Sequence, residues 1–127
     1  MKNLLIVTAA IEGLTGLLLV AAPSLVARLL LDSALDSPAA LTVARLAGVA
    51  LLALTVACWL GRHDEGTRAV NGLVGAFVLY NIGAAILFAY AGLALHLSGV
   101  LLWPAVLLHA VMAVWCIERL SKRRMKE

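Results

Sequence analysis

Charged residues are scarce in this 127-residue chain, where Asp, Glu, Lys and Arg together make up 13% of the sequence. A soluble domain averages about 25% charged and about 45–50% apolar residues. Here the hydrophobic share is 64%. A core of this size cannot bury so much apolar surface, so lipid must replace water over most of the exterior. The composition therefore predicts an integral membrane protein and excludes a soluble domain.

Cysteine and histidine are also rare, which excludes the common metal and haem sites. Cys58 and Cys116 form neither a disulfide framework nor a metal-ligand motif, and we expect both thiols to pack as apolar groups. His96 and His109 lie thirteen residues apart at the fourth predicted span, and the other spans offer no second histidine as a haem ligand. We therefore predict no metal and no cofactor. The basic run 122–126 directly follows a hydrophobic span, which favours attraction to anionic lipid over nucleic-acid binding.

Four hydrophobic stretches are each long enough to cross a bilayer core, at about 4–22, 40–60, 70–93 and 98–118. Backbone polar groups in lipid must bond within their own segment, so these stretches are predicted helices. Pro38 suits the start of the second helix, and Pro104 predicts a kink within the fourth. We predict an all-α, four-helix transmembrane bundle with up-down-up-down topology and a single domain over 1–127. A short interfacial helix is predicted at about 24–31.

The distribution of Lys and Arg predicts the orientation of this bundle. Two basic residues lie away from the chain termini: Arg28 on the opposite side of the membrane and Arg45 inside the second span. The other basic residues share the side of the termini: Lys2, Arg62, Arg68, Arg119, Lys122, Arg123, Arg124 and Lys126. Since cytoplasmic loops carry the excess of Lys and Arg, both termini are expected in the cytoplasm.

Each predicted span carries a polar residue near the same depth, and together these residues predict a polar centre. Glu12 lies halfway along the first span, Arg45 lies in the second, Tyr80 and Asn81 in the third, and His109 in the fourth. A charged side chain at that depth almost always faces protein and has a partner. We therefore predict a Glu12–Arg45 ion pair with His109 and Asn81 as hydrogen-bond partners. Its role stays open between fixing helix register, binding a proton or substrate, and contacting a partner subunit.

Small residues predict where helices approach one another closely. Gly13 and Gly16 flank the Glu12 face of the first helix, and Gly48 shares the Arg45 face of the second. Gly72 and Gly83 line one face of the third helix. Helix interfaces in membranes are enriched in such residues because they let two backbones come together.

Several short motifs carry a resemblance to a known group of proteins. They are Glu12-Gly13 followed by Gly16 and Pro23, the run Ala44-Arg45-Leu46-Ala47-Gly48, Leu79-Tyr80-Asn81, and His109 with Trp115-Cys116. The chain resembles small four-helix bacterial membrane proteins that are broadly similar to the DoxX-like proteins. The resemblance covers nearly the whole chain and implies a bundle in the bacterial inner membrane, with an acidic residue in the first helix and a basic one in the second. It implies no catalytic residue.

The absence of a catalytic constellation favours a non-enzymatic protein that acts through interactions within the membrane. Its expected partners are the lipid bilayer and either further copies of the chain, forming a homo-oligomer, or a larger membrane complex. Two alternatives stay open. The first is a small oligomeric proton- or cation-coupled transporter or channel that uses Glu12 and His109 near the midplane. The second is a redox protein associated with quinone or lipid that uses Tyr80, Asn81 and His109.

Overall fold

A computed structural model describes residues 1–64 and 66–124, with side chains through Lys122. Within this part of the chain every regular element is a helix: α1 Lys2–Ala21, α2 Pro23–Leu31, α3 Pro38–Gly61, α4 Arg68–Leu93 and α5 Leu102–Arg124. The all-α prediction is confirmed. Lys126 of the predicted basic run lies outside the described residues, as do the side chains of Arg123 and Arg124.

Four of the helices are long and apolar enough to cross a membrane: α1, α3, α4 and α5. Many of their large apolar side chains lie on the surface, and Leu79 is 75% exposed while Leu60 and Leu87 are each 68% exposed. Exposed apolar area on this scale is unusual for a monomer in water. The exterior is thus compatible with a multi-pass membrane protein.

Side-chain caps begin two of the long helices where the sequence changes from polar to apolar. The Ser37 hydroxyl accepts a hydrogen bond from the Ala40 backbone N–H (3.1 Å), and Pro38 occupies the first turn of α3. The Thr67 hydroxyl accepts one from the Val70 backbone N–H (3.2 Å) and caps α4. Each cap satisfies a backbone donor that the first helical turn leaves unpaired. The predicted position of Pro38 is confirmed.

The long helices pack most closely in two pairs, α1 with α3 and α4 with α5. In the first pair, Gly13 faces Thr55 and Gly16 faces Gly48, so the two helices run in opposite directions. In the second pair, Asn81 bonds His109, and Gly92 lies against Leu102 and Trp103, which again describes antiparallel helices.

A buried apolar core joins the two pairs at the end of the bundle that carries the chain termini. Its members are contributed by α1, α3, α4 and α5: Leu4, Leu5, Ala9, Cys58, Val70, Val74, Phe77, Met112 and Cys116. Both cysteines are free thiols within this core. Close packing here holds the polar residues of the next turns in place, because they lie directly above it on the same helix faces.

The segment before α5 differs from the prediction. Helix α5 begins at Leu102 and not near 98, because residues 94–101 form a connection that packs against α2. The Leu101 N–H donates to the Leu29 carbonyl (2.8 Å), and Gly99 lies against the backbone of Leu29 and Leu30. Pro104 therefore falls in the first turn of α5. The predicted kink within a span is wrong, since the first turn leaves N–H groups unbonded anyway.

Candidate functional site

Glu12 is buried in the centre of the bundle by one stripe of α1. Thr8, Glu12 and Gly16 follow one another at intervals of four residues and are all buried, with Glu12 only 4% exposed. Residues at that spacing share a helix face. The Tyr80 hydroxyl of α4 donates a hydrogen bond to Glu12 Oε2 (3.4 Å). The Glu12 carboxyl group therefore lies in the interior of the bundle and contacts α4.

Asn81 and His109 form the second half of this centre. The Asn81 amide nitrogen donates to the Phe77 carbonyl (2.8 Å), which fixes the amide so that its oxygen faces His109 Nδ1 at 2.9 Å. An amide oxygen only accepts, so His109 carries a proton on Nδ1. In the neutral imidazole this leaves Nε2 as an acceptor.

Aromatic contacts connect the two halves. The Tyr80 and His109 rings meet edge to face with centroids 5.6 Å apart, and Phe88 lies 5.7 Å from His109 on another side. Glu12, Tyr80, His109 and Asn81 are therefore one contiguous group, which we call the polar cluster. It contains a carboxyl group, a phenol, an amide and an imidazole in a largely apolar surrounding.

Arg45 is not part of the polar cluster, and the predicted Glu12–Arg45 ion pair is wrong. Arg45 is exposed, and its Nε donates a hydrogen bond to the Val20 carbonyl (3.3 Å). Val20 is eight residues after Glu12, or about 12 Å along the helix axis at 1.5 Å per residue. The packing of Gly16 against Gly48 sets this register, and it holds Arg45 about two helical turns from Glu12.

Glu12 consequently has no basic partner among the described residues, and Tyr80 is its hydrogen-bond donor. An unpaired buried carboxylate carries a large desolvation cost, which a bound proton or cation removes. The arrangement is chemically suited to taking up and releasing such an ion. The hydroxyl of the polar cluster belongs to Tyr80, and it donates to Glu12.

The glycines predicted to pack helices divide into two groups. A Cβ atom added at Gly16 or Gly48 would lie within 2.9 Å of the other residue's carbonyl oxygen, and one at Gly13 would lie 3.2 Å from Thr55. These three glycines pack α1 against α3. At Gly72 and Gly83 an added Cβ would meet nothing within 4 Å. Within the described residues, those two glycines do not pack against another helix.

Two aromatic residues of the site were missed from the sequence. Phe77 accepts the Asn81 amide hydrogen bond through its carbonyl and packs on Tyr80 with ring centroids 6.1 Å apart, while Phe88 packs on His109. Phe77 and Phe88 lie four residues before and seven after Asn81, so helical periodicity alone places them on its face. That periodicity is the signal that would have found them.

Replacing Arg45 with alanine is expected to change stability little. The substitution removes one exposed hydrogen bond to a carbonyl, and surface changes of this kind usually cost about 0.5 kcal/mol. A buried ion pair with Glu12 would instead cost about 3–5 kcal/mol when broken. Thermal unfolding of purified Arg45→Ala in detergent measures the difference. A large loss of thermal stability would contradict the observed geometry.

Comparison with known proteins does not test the resemblance to DoxX-like proteins, which stays a prediction. No protein-family model matches the chain, and no curated protein and no solved structure matches it either.

Proposed function

We propose that this chain is a multi-pass protein of a bacterial inner membrane, with both termini cytoplasmic, that acts by binding other membrane proteins. The outer face of α4, defined by Gly72, Ala76, Leu79 and Gly83, is the contact surface. Four apolar helices support the membrane placement. The Lys and Arg residues at the terminal end of the bundle support the orientation.

The observation that carries the proposal is the open space beside Gly72 and Gly83, where nothing lies within 4 Å of an added Cβ. Ala76 between them is exposed, and Leu79 is 75% exposed. The spacing of four, three and four residues puts all of them on one side of α4. Gly16 and Gly48 pack a helix pair within the chain by the same means. Small residues support such contacts by letting helices approach closely in lipid.

Leu79→Cys is expected to form a disulfide-linked dimer in native membranes treated with a mild oxidant. The native thiols are buried, with Cys58 0% and Cys116 1% exposed, so the new cysteine provides the accessible thiol. Leu107→Cys on α5, where Leu107 is 66% exposed, is the matched control and is expected to stay monomeric. Cross-linked species are read from non-reducing gels.

Dimer formation by both variants to the same extent would show random collision and contradict the proposed face. If Leu79→Cys stays monomeric, a heterologous partner is tested by photo-cross-linking at the same position. Recovery of neither a second copy nor a specific partner at that position contradicts the proposal.

A second candidate function, proton- or cation-coupled transport, is favoured by the burial of Glu12 with no basic partner in the part of the chain that the structure describes. Ionisable residues within membranes commonly mark ion pathways. In this function Glu12 carries the ion, and Tyr80 and His109 are its neighbours along the polar cluster. A bundle this small would form the pathway between two copies.

Glu12→Gln is expected to abolish ion flux if the second function operates. The amide keeps the size of the side chain and its ability to accept the Tyr80 hydrogen bond, but it cannot bind a proton reversibly near neutral pH. Proton and cation flux is measured in liposomes with a pH-sensitive dye or an ion-selective dye. Arg45→Ala is the control, because Arg45 lies outside the polar cluster. Equal flux in wild type, Glu12→Gln and protein-free liposomes would rule this function out.

A further inference from the structure

Glu12 carries the one carboxyl group that lies buried in the described part of the chain, where it is 4% exposed. An ionised carboxylate has about four lone-pair sites for hydrogen bonds. Among the described residues its hydrogen bond comes from the Tyr80 hydroxyl, at 3.4 Å. A hydroxyl that donates to an ionised carboxylate normally lies about 2.5–2.7 Å away. The observed contact is long, and it suits a neutral carboxylic acid better than a charged carboxylate.

The cations on the neighbouring helices do not compensate for a charge on Glu12. On α3, Arg45 donates to the Val20 carbonyl, about two helical turns away. On α2, Arg28 is exposed. The titratable group of α3 within electrostatic range of the carboxyl is the Cys58 thiol, which supplies no positive charge.

Helices α4 and α5 offer Glu12 a hydrogen bond but no ion pair in the part of the chain that the structure describes. Tyr80 of α4 supplies the hydroxyl, and behind it His109 of α5 donates its Nδ1 proton to Asn81. Cys116, also on α5, lies in the apolar core. The carboxyl group thus lies among a phenol, thiols and apolar side chains. In such surroundings an isolated charge is costly, and the group takes up a proton instead.

A metal cation in place of the proton would need more ligands than this position offers. Zinc takes about four ligands, magnesium about six and calcium about six to eight. Within the described residues no three His, Cys, Asp or Glu side chains lie together in a way that could hold a metal ion. The Asn81 amide is already hydrogen-bonded to Phe77 and His109. A proton needs one carboxylate oxygen, so it is the cation that this position fits.

We propose that Glu12 holds a proton at neutral pH, and that the ion of the transport function described above is a proton and not a metal cation. The step is the release and return of one proton by one carboxyl group. Tyr80 serves both states, because its hydroxyl donates to the carboxylate and its oxygen accepts from the carboxylic acid. Tyr80 is therefore a positioning residue. The inference rests on that second function for the use of the proton, and it is independent of the contact surface of α4.

Infrared spectroscopy of the full chain in dodecyl maltoside, a detergent without a carbonyl group, tests the proposal. A neutral carboxylic acid has a carbonyl stretching band that an ionised carboxylate lacks. Wild type at neutral pH is expected to show this band, and Glu12→Gln is expected to lose it completely. Asp36→Asn is the matched control and is expected to keep the band, since Asp36 is exposed before the start of α3.

Tyr80→Phe is expected to keep the band but to move it to higher frequency, because the carboxyl group loses its hydrogen bond. Adding sodium, potassium or calcium chloride at constant pH is expected to leave the wild-type band unchanged. The proposal is overturned by a wild type without the band at neutral pH, by a band that persists in Glu12→Gln, or by a band that one of these salts removes. A band that does not move in Tyr80→Phe contradicts the role of Tyr80.

Failure of this inference is distinguishable from failure of transport. If Glu12→Gln abolishes the band but wild type gives no ion flux in liposomes, the proton site stands and the transport function falls. Flux of sodium or calcium without proton flux retains transport and overturns the proton as its ion. Size-exclusion chromatography establishes that each variant is folded before spectra are recorded. Where Glu12→Gln fails to fold, the frequency shift in Tyr80→Phe assigns the band to Glu12.

Discussion

Gly99→Ala is expected to separate α2 from the connection between α4 and α5 and to cause the largest loss of stability of any small substitution in this chain. A Cβ atom at position 99 would overlap the carbonyl carbon and the carbonyl oxygen of Leu30. Both are backbone atoms, so no rotamer change relieves the overlap. The hydrogen bond from the Leu101 N–H to the Leu29 carbonyl (2.8 Å) must lengthen or break. We expect a cost of about 3 kcal/mol, at the upper end for overpacking.

Hydrogen exchange measured by mass spectrometry in detergent locates this effect, and thermal unfolding measures its size. Faster exchange is expected in peptides covering 23–36 and 94–101, with little change in α3. Gly83→Ala is the control, because its added Cβ meets nothing within 4 Å. Replacing a helical glycine with alanine at such a site stabilises a helix by up to about 1 kcal/mol. Equal stability of Gly99→Ala and wild type would mean that α2 does not pack against this connection.

Gly48→Leu is expected to force α1 and α3 apart and to destabilise the bundle strongly. A Cβ at Gly48 would lie 2.8 Å from the Gly16 carbonyl oxygen and 2.9 Å from Leu19 Cβ. A leucine adds three more carbons at a point where two backbones touch. The helices must then separate along their whole contact, which removes the close packing that drives helix association in lipid. A loss of about 3 kcal/mol or more follows from overpacking at backbone contacts.

Gly72→Leu tests whether this effect belongs to the α1–α3 contact and not to leucine itself. It makes the same change in α4, where an added Cβ has open space, and it should unfold near the wild-type temperature as a detergent-solubilised monomer. Unfolding is followed by the fraction that stays monodisperse after heating. If both variants lose stability equally, the close approach of Gly16 and Gly48 is not what holds the pair together.

The length and composition of the hydrophobic stretches were sufficient to predict an all-α chain with four long apolar helices. Each stretch is about twenty residues long, and no other secondary structure satisfies its own backbone in lipid. Local chemistry was sufficient to predict where α3 begins. Ser37 and Pro38 act within its first turn and need no contact from another helix. Thr8 and Glu12 share one face of α1 for an equally local reason, since residues four apart in a helix lie on the same side.

The partner of Glu12 was not predictable in the same way. The depth of a residue counted from the ends of a predicted span is uncertain by about 2–4 residues at each end. The Glu12–Arg45 prediction combined two such counts, whereas the observed offset follows from Gly16 packing on Gly48. Tyr80 was placed in the polar centre by its depth, but only the packing of α4 against α1 shows that its hydroxyl reaches Glu12.

The start of α5 shows the same division between local and non-local causes. Residues 94–101 contain Leu95, Leu97, Val100 and Leu101, so their hydropathy resembles that of the helix that follows. Their irregular conformation comes from docking on α2, which lies about 70 residues earlier in the chain. Apolar pattern and helix length are properties of consecutive residues, and the sequence reveals them directly. Register, partner choice and docking arise where distant segments meet, so they emerge only from the packed arrangement of all five helices.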